Sequence, residues 1–330
     1  MRRRELLAML GGAALVWPNA APAQQPAAMR RLGFLGPALP TNPMAKASAA
    51  ALLEGLKAQG WKEGVSLTID WRWYGEDAAL AARQAAELVA LAPQVILAAG
   101  NIAVEPIRRQ THTIPIVFAL TSDPVGMGYV ESLAHPGGNI TGFSSFDPPI
   151  YTKMLQMLTE IAPPPRTVAV LYNPQTAPYA GRMLHALEDG AAALGIALRD
   201  APCHDDAGIA AVMAALAGDE RGGLLALGDL FNQVHQKAII AGALKFRIPI
   251  VVNTVDMTAS GGLMSYTIDI PDLYRRAASY ADRILRGAKV GELPVQRPTK
   301  FETAINLKTA KEIGVTVSQT LLATADKVIE

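Results

Sequence analysis

The chain has 330 residues, of which half are apolar, 6% are aromatic and 18% are charged, with a formal net charge of +1. This length is ample for a large core and favours more than one domain. The near-neutral balance, without a basic block or an arginine–aromatic stretch, argues against nucleic acid as a partner. The single cysteine, Cys203, excludes an intrachain disulfide, so the core alone must stabilise the fold.

The N-terminus has the three parts of a secretory signal. Residues 1–4 are positive, residues 6–17 form a short apolar run, and residues 21–23 read Ala-Pro-Ala. The run is too short for a membrane-spanning helix of about 20 residues. We therefore predict a signal peptide over residues 1–23, cleaved after Ala23, and a periplasmic mature protein. The arginine pair allows either twin-arginine export or ordinary Sec export.

After a flexible leader, short apolar runs alternate with helical patterns. Strands are predicted over residues 32–35, 67–73, 95–98 and 114–120, and helices over 44–59 and 78–91. The run 67–73 alternates apolar and polar positions, which is typical of a strand near a sheet edge. Glycines and prolines in residues 139–149 predict an extended crossing.

A second series of the same kind follows this crossing. The predicted helices cover residues 151–161, 180–194, 209–216, 233–246 and 272–285, and the predicted strands cover 168–171, 196–198, 224–227, 250–252 and 263–267. Residues 294–298 form a second extended link. Regular alternation of strand and helix indicates parallel sheets with helices on both faces. The expected fold is α/β, with two doubly wound parallel-sheet lobes joined by more than one crossing.

The crossings divide the chain between the two lobes. We expect the first lobe to comprise residues 24–143 plus about 268–296. The second would comprise residues 144–267 plus about 297–330.

Small and polar residues follow the predicted strands, where ligands bind in open α/β sheets. The candidate ligand-binding residues are Pro37, Asn101, Thr121, Ser122, Asp123, Tyr172, Asn173, Asp229 and Asn253. Asp123 and Asn173 each precede a proline, the pattern of a helix N-cap followed by proline at the first helical position. Capping and ligand contact therefore both remain open for these two. Asp229 lacks the proline, which favours contact.

Catalytic patterns do not appear in the sequence. It contains no phosphate-binding Gly-Lys-Ser loop, no complete dinucleotide fingerprint and no complete nucleophile elbow. The run His204-Asp205-Asp206 falls in a predicted turn, which favours a solvated turn over a metal site. Cys203 is expected to be a buried or half-buried thiol. We expect no catalysis, no cofactor and no metal.

Six blocks of the sequence are distinctive: residues 123–126, 132–142, 171–174, 261–266, 298–302 and 305–311. In the same order, over nearly the whole chain after residue 23, they resemble the bacterial ABC-transporter substrate-binding proteins of the tryptophan/phenylalanine-binding type. The resemblance implies a type I periplasmic-binding fold, with two lobes and a hinge of three strands. It also implies delivery of a captured solute to a membrane permease driven by an ATPase.

The resemblance assigns roles to four of the candidates. Asp123 would accept from a ligand amino group or cap a helix, Tyr172 and Asn173 would be second-lobe contacts, and Asp229 would be an acidic contact. Members with amino-acid ligands usually follow Tyr-Asn-Pro with Ser-Glu-x-Asn-Ser, whereas residues 175–179 here read Gln-Thr-Ala-Pro-Tyr. Asn101 also stands where Thr is frequent.

These departures leave the solute open. It is expected to be a small polar metabolite, either an amino acid or an aromatic or short carboxylic acid. The expected protein is a monomeric transport receptor. The alternatives are a cofactor-independent enzyme and a sensory binding module on the same scaffold.

Overall fold

The structure is a computed structural model that describes residues 29–37, 39–75, 77–145 and 148–330. The predicted signal peptide, with its cleavage point after Ala23, lies outside the described residues. Within the described ranges, none of the helices combines the length and the apolar character needed to cross a bilayer.

The first sheet has five parallel strands in the order β2-β1-β3-β4-β5. Its strands and the helices between them are β1 (Arg30–Pro37), α1 (Pro43–Ala58), β2 (Leu67–Gly75), α2 (Ala78–Ala90), β3 (Val95–Ala99), α3 (Asn101–Gln110), β4 (Ile116–Thr121) and β5 (Ile140–Ser144). The predicted edge position of the strand near residues 67–73 is confirmed, because β2 forms one edge of this sheet.

The second sheet has seven strands in the order β14-β12-β11-β10-β9-β7-β8. All neighbours are parallel except β11 and β12. A two-stranded antiparallel pair joins β13 to β6. The elements are α4 (Pro148–Thr159), β6 (Ile161–Ala162), β7 (Thr167–Tyr172), α5 (Ala180–Ala193), β8 (Ala197–Pro202), α6 (Asp206–Ala217), β9 (Gly222–Ala226), α7 (Leu230–Val234), α8 (Gln236–Phe246), β10 (Ile250–Val252), α9 (Val255–Ala259), β11 (Met264–Ile268), α10 (Ile270–Leu285), a 3-10 turn (Val290–Glu292), β12 (Phe301–Asn306), α11 (Leu307–Ile313), β13 (Thr316–Val317), α12 (Gln319–Ala323) and β14 (Lys327–Ile329).

The chain passes between the two sheets three times. It leaves the first sheet after β5, returns after β11 so that α10 packs on α1, β3, β4 and β5, and leaves again before β12. This arrangement is the α/β fold of two parallel-sheet lobes expected from the sequence. The residue boundaries predicted for the lobes stay our proposal for dividing the chain.

One strand occupies a segment expected to be only a link. Residues 140–144 form β5, whose Gly142 lies opposite Phe118 on β4. A Cβ atom at Gly142 would overlap the backbone of Phe118, and the φ angle of 153° also favours glycine. The glycine that allows this close approach is the feature that made the run resemble a loop.

Two helical expectations also differ from the structure. Helix α3 was not predicted, because Pro106 and charged residues interrupt its pattern, although Ala103, Val104 and Ile107 form a buried face. The predicted helix over 233–246 is divided at His235 into α7 and α8.

Helix capping, one of the two roles left open for Asp123 and Asn173, does not occur, because turns follow both residues. Asp123 Oδ1 accepts the N–H of Gly126 at 3.0 Å, and Asn173 Oδ1 accepts that of Gln175 at 2.8 Å. A side-chain oxygen followed by proline serves a turn as well as a helix, so the pattern did not distinguish the two.

Helix α1 approaches α10 closely at Gly55. A Cβ atom there would lie 2.7 Å from both the Ala278 Cβ and the Arg275 carbonyl oxygen. Real side chains avoid this distance, so only glycine lets the two helices meet as they do.

Gly55→Ala should lower the free energy of unfolding by about 1–3 kcal/mol, the usual cost of overpacking. Gly181→Ala is the matched control, because a Cβ at this position in α5 would meet nothing within 4 Å. The control should gain up to about 1 kcal/mol from helix propensity. Urea unfolding of both variants measures the difference, and equal effects would contradict the packing described.

Candidate functional site

The carboxyl ends of both sheets border one cavity of about 750 Å³. Small-molecule sites commonly have this size. The first lobe contributes the end of β1, the start of α1, the end of β2 and the segments after β3 and β4. The second contributes the segments after β7, β9 and β10. The polar lining residues are Thr41, Asn42, Ser48, Asn101, Ser122, Ser145, Thr176, Asp229, Gln233, Gln236, Asn253, Thr254 and Asp256.

The structure brings five of the nine predicted residues to this cavity. They are Pro37, Asn101, Ser122, Asp229 and Asn253. The other four, Thr121, Asp123, Tyr172 and Asn173, are not among its lining residues. Ligand contact by any of the nine stays a prediction.

All four of these side chains have protein partners, that of Asn173 being the Gln175 N–H described above. The Thr121 hydroxyl donates to the Ala119 carbonyl at 3.4 Å. The Tyr172 hydroxyl hydrogen-bonds Asp200, and burial together with this carboxylate raises the pKa of Tyr172 to about 12. Asp123 binds Arg182, with 2.5 Å between Oδ2 and Nε.

Asn101 holds two strand ends of the first lobe together. Its Nδ2 donates to the Ser122 carbonyl at 2.9 Å, and its Oδ1 accepts the Ser122 N–H at 3.0 Å. The Ser122 hydroxyl in turn lies 3.0 Å from that of Ser145. The Asn101 amide therefore shapes the first-lobe wall of the cavity.

The Asp229 carboxylate is almost completely used within the second lobe. Oδ2 accepts the Asn173 N–H at 2.8 Å and Oδ1 accepts the Phe231 N–H at 3.2 Å. Burial raises the pKa of Asp229, while the bonds from Thr176 and from backbone N–H groups oppose the shift. This acid fixes the loops after β7 and β9, and it places an acidic side chain in the cavity wall.

Asn253 has no such partners. It directly follows β10 and is only 1% exposed, yet neither Nδ2 nor Oδ1 has a hydrogen-bond partner among the described residues. Most buried polar side-chain atoms in proteins are paired, and an unpaired one requires an explanation. Asn253 therefore borders the cavity with a donor and an acceptor that the described residues leave unpaired.

Four aromatic residues that sequence reasoning did not select also line the cavity: Trp73, Tyr74, Tyr179 and Tyr274. The Tyr74 hydroxyl donates to the Ala99 carbonyl at 2.9 Å, and that of Tyr179 donates to Gly228 at 2.8 Å. Burial raises the pKa of both tyrosines, so both remain protonated donors. Trp73 closes a predicted strand at its carboxyl end, a signal that could have identified it.

The ionisable side chains of the described cavity lining are acidic, apart from its tyrosines. Its described lining residues include two carboxylates, Asp229 and Asp256, but no lysine, arginine or histidine. The first turns of α1 and α3 lie at the wall and supply the partial positive charge of helix N-termini. The site therefore suits an uncharged, zwitterionic or cationic solute better than a polyanion. In the described part of the chain, no group of three or more His, Cys, Asp or Glu is placed to hold a metal ion.

Comparison with known proteins finds several similar chains. A "Tyrosine-binding protein" of Clostridioides difficile is 24% identical over 276 residues, covering 83% of this chain and 78% of the relative. A crystal structure of a conserved domain protein from Vibrio cholerae is 28% identical, with a TM-score of 0.82 over 91% of this chain and 99% of the other. An ABC domain from Streptococcus pneumonia, in complex with L-Trp, is 22% identical with a TM-score of 0.83, over 91% and 100%.

These likenesses agree with a type I periplasmic-binding fold of two lobes. The model of one family, described as ABC transporter substrate binding protein, matches residues 41–329. Most of the chain is thus covered by a single match, and the chain belongs to the family of ABC transporter substrate-binding proteins.

Proposed function

We propose that this protein is an exported receptor that captures an aromatic amino acid in the cavity between its lobes and delivers it to an ABC permease. The observation that carries the proposal is the unpaired, buried amide of Asn253 in a cavity bordered by Trp73 and three tyrosines. Aromatic walls favour a planar apolar body, and the amide favours a polar head with both donor and acceptor groups.

The charge of the site favours an amino acid over a simple carboxylic acid. A simple acid would add an uncompensated negative charge next to Asp229, and none of the described lining side chains is cationic. Burying a charge without a partner is costly. An amino acid brings its own ammonium group, which the two carboxylates favour. The tyrosine-binding relative and the L-Trp complex support the same class of solute.

Membership of the family supports transport. The signal pattern of residues 1–23 supports export to the periplasm, where a single receptor chain would carry the solute to the membrane. Closure of two lobes around a solute is the usual way in which such receptors hold it.

A thermal-shift panel tests this solute class. L-Tyr, L-Trp and L-Phe should raise the melting temperature, because a ligand at 100 times its Kd adds about 2.7 kcal/mol to the native state. 3-Phenylpropionate, which lacks the ammonium group of L-Phe, should give a much smaller shift, and glucose none. A larger shift with 3-phenylpropionate than with L-Phe, or with glucose alone, would contradict the proposal.

Asn253→Ala should separate binding from stability. Affinity for the best amino acid of the panel should fall about 10-fold or more, because a polar group left without its partner costs about 1–3 kcal/mol. The free energy of unfolding should stay the same or rise, since the ligand-free amide is unpaired. Calorimetric titration and urea unfolding give the two values.

Asn306→Ala is the matched control for this variant. Asn306 is also buried, but its amide donates to the Thr258 carbonyl at 2.9 Å and accepts the Thr309 N–H at 3.1 Å, away from the cavity. It should lose stability and retain affinity. If the two variants lose affinity equally, Asn253 is not a ligand contact.

The enzyme alternative gains no support from the one cysteine. Cys203 is 2% exposed, and burial, with a contribution from Asp205, raises the pKa of its thiol to about 11. Nucleophilic cysteines have the opposite setting, with a lowered pKa and some exposure.

Cys203 should therefore resist alkylation in the folded protein. At about pH 8 only about one thiol in a thousand would be ionised, and it is the thiolate that reacts. Mass spectrometry after iodoacetamide treatment should find no label on the native chain and complete label after unfolding in urea. Rapid labelling of the native chain would contradict the description of this residue.

A further inference from the structure

An ion pair joins the two lobes beside the cavity. Arg182, on helix α5 of the second lobe, places its Nε 2.5 Å from Oδ2 of Asp123, which follows β4 in the first lobe. The Nη2 atom of Arg182 also lies 3.3 Å from the Met127 sulfur. Both contacts therefore connect the first lobe with the second.

The Asp123 carboxylate is held in place by its own loop. Its backbone has a φ of 50°, a left-handed conformation that is uncommon for residues other than glycine. Its second oxygen, Oδ1, accepts the Gly126 N–H at 3.0 Å. The acid is therefore oriented by the first lobe, and it leaves one oxygen for the arginine.

Gly126 leaves room for this pair. A Cβ atom at this position would overlap the Asp123 carboxylate and lie 2.6 Å from the Arg182 Nε. A side chain at position 126 could fit only by displacing one of the two charged groups. The loop is thus shaped to bring the arginine against the acid.

A second set of bonds crosses between the lobes inside the cavity. The Ser145 and Ser122 hydroxyls lie 3.0 Å apart, and the Ser122 side chain hydrogen-bonds Tyr179 of the second lobe. The Tyr179 hydroxyl continues the chain to the Gly228 carbonyl. These bonds lie among residues that line the cavity, whereas Asp123 and Arg182 do not line it.

We propose that Asp123 and Arg182 form an interlobe lock, a pair of positioning residues that favours the closed arrangement and slows release of the solute without touching it. The proposal does not depend on which solute the cavity takes. It gives Asp123 a role different from the ligand contact expected from the sequence. With this ion pair, part of the ligand-free receptor would already be closed, and the lobes would open more slowly than without the pair.

The first test needs no ligand. Small-angle X-ray scattering of the ligand-free protein should show a larger radius of gyration for Arg182→Ala than for wild type. Arg199→Ala is the matched control, because Arg199 pairs with Asp219 at 3.0 Å within the second lobe and the two pairs have similar exposure. Its radius of gyration should equal that of wild type. Equal radii for all three proteins would overturn the lock.

The second test measures release, with L-Tyr as the probe and stopped-flow tryptophan fluorescence as the readout. Arg182→Ala should raise koff roughly 2- to 5-fold, the range expected for a partly exposed ion pair. Asp123→Asn should act in the same direction, since the amide oxygen can still accept the Gly126 N–H. The double variant should be no faster than the faster single variant, because both changes break one interaction.

The same release measurement is repeated at high salt and with the control variant Arg199→Ala. About 1 M NaCl should bring the wild-type koff close to that of Arg182→Ala, because exposed charges are screened. Arg199→Ala should release L-Tyr at the wild-type rate. Additive single variants, or an equal change in the control, would contradict the lock. If L-Tyr does not bind at all, the proposed solute fails, while the scattering result still decides the lock.

Discussion

Polar groups buried at the carboxyl ends of two facing sheets must find hydrogen-bond partners, and this constraint organises the cleft. Asn101 meets it through the backbone of Ser122, and Asp229 through the N–H groups of Asn173 and Phe231. Both residues thereby give up most of their capacity for a ligand and become supports of the cavity wall. Asn253 alone among these three remains unpaired, and for that reason we propose it as the residue whose amide the solute satisfies.

Much of the fold could be predicted from the sequence, because most strands are continuous apolar runs between helices with clear ends. The edge position of β2 was readable from its alternating pattern. The two elements that were not predicted, β5 and α3, each contain a residue that usually interrupts regular structure. Gly142 lets β5 approach β4 but is also typical of loops, and Pro106 lies inside α3. Proline after Asp123 or Asn173 indicates a cap without saying whether a helix or a turn follows.

The candidate site was less predictable. The ends of the strands could be predicted from the sequence. Five of the nine residues chosen at those ends line the cavity in the structure. Whether an acid is free or already bonded depends on partners distant in sequence, such as Arg182 for Asp123, and no local pattern reveals them. The aromatic lining combines β2 and α10 of the first lobe with Tyr179 of the second, elements that are far apart in the sequence. For this reason the sequence left open an amino acid, a simple acid and other small polar metabolites. The unpaired Asn253 amide and the aromatic lining carry our proposal, and the charge of the described lining favours an amino acid over a simple acid.

The most direct test is a crystal structure of the protein with the amino acid that stabilises it most. The account predicts electron density for one solute between the lobes, with its polar head within hydrogen-bond distance of both Nδ2 and Oδ1 of Asn253 and its ring against Trp73 or the cavity tyrosines. A solute bound elsewhere, or one bound in the cavity while the Asn253 amide stays unpaired, would contradict it.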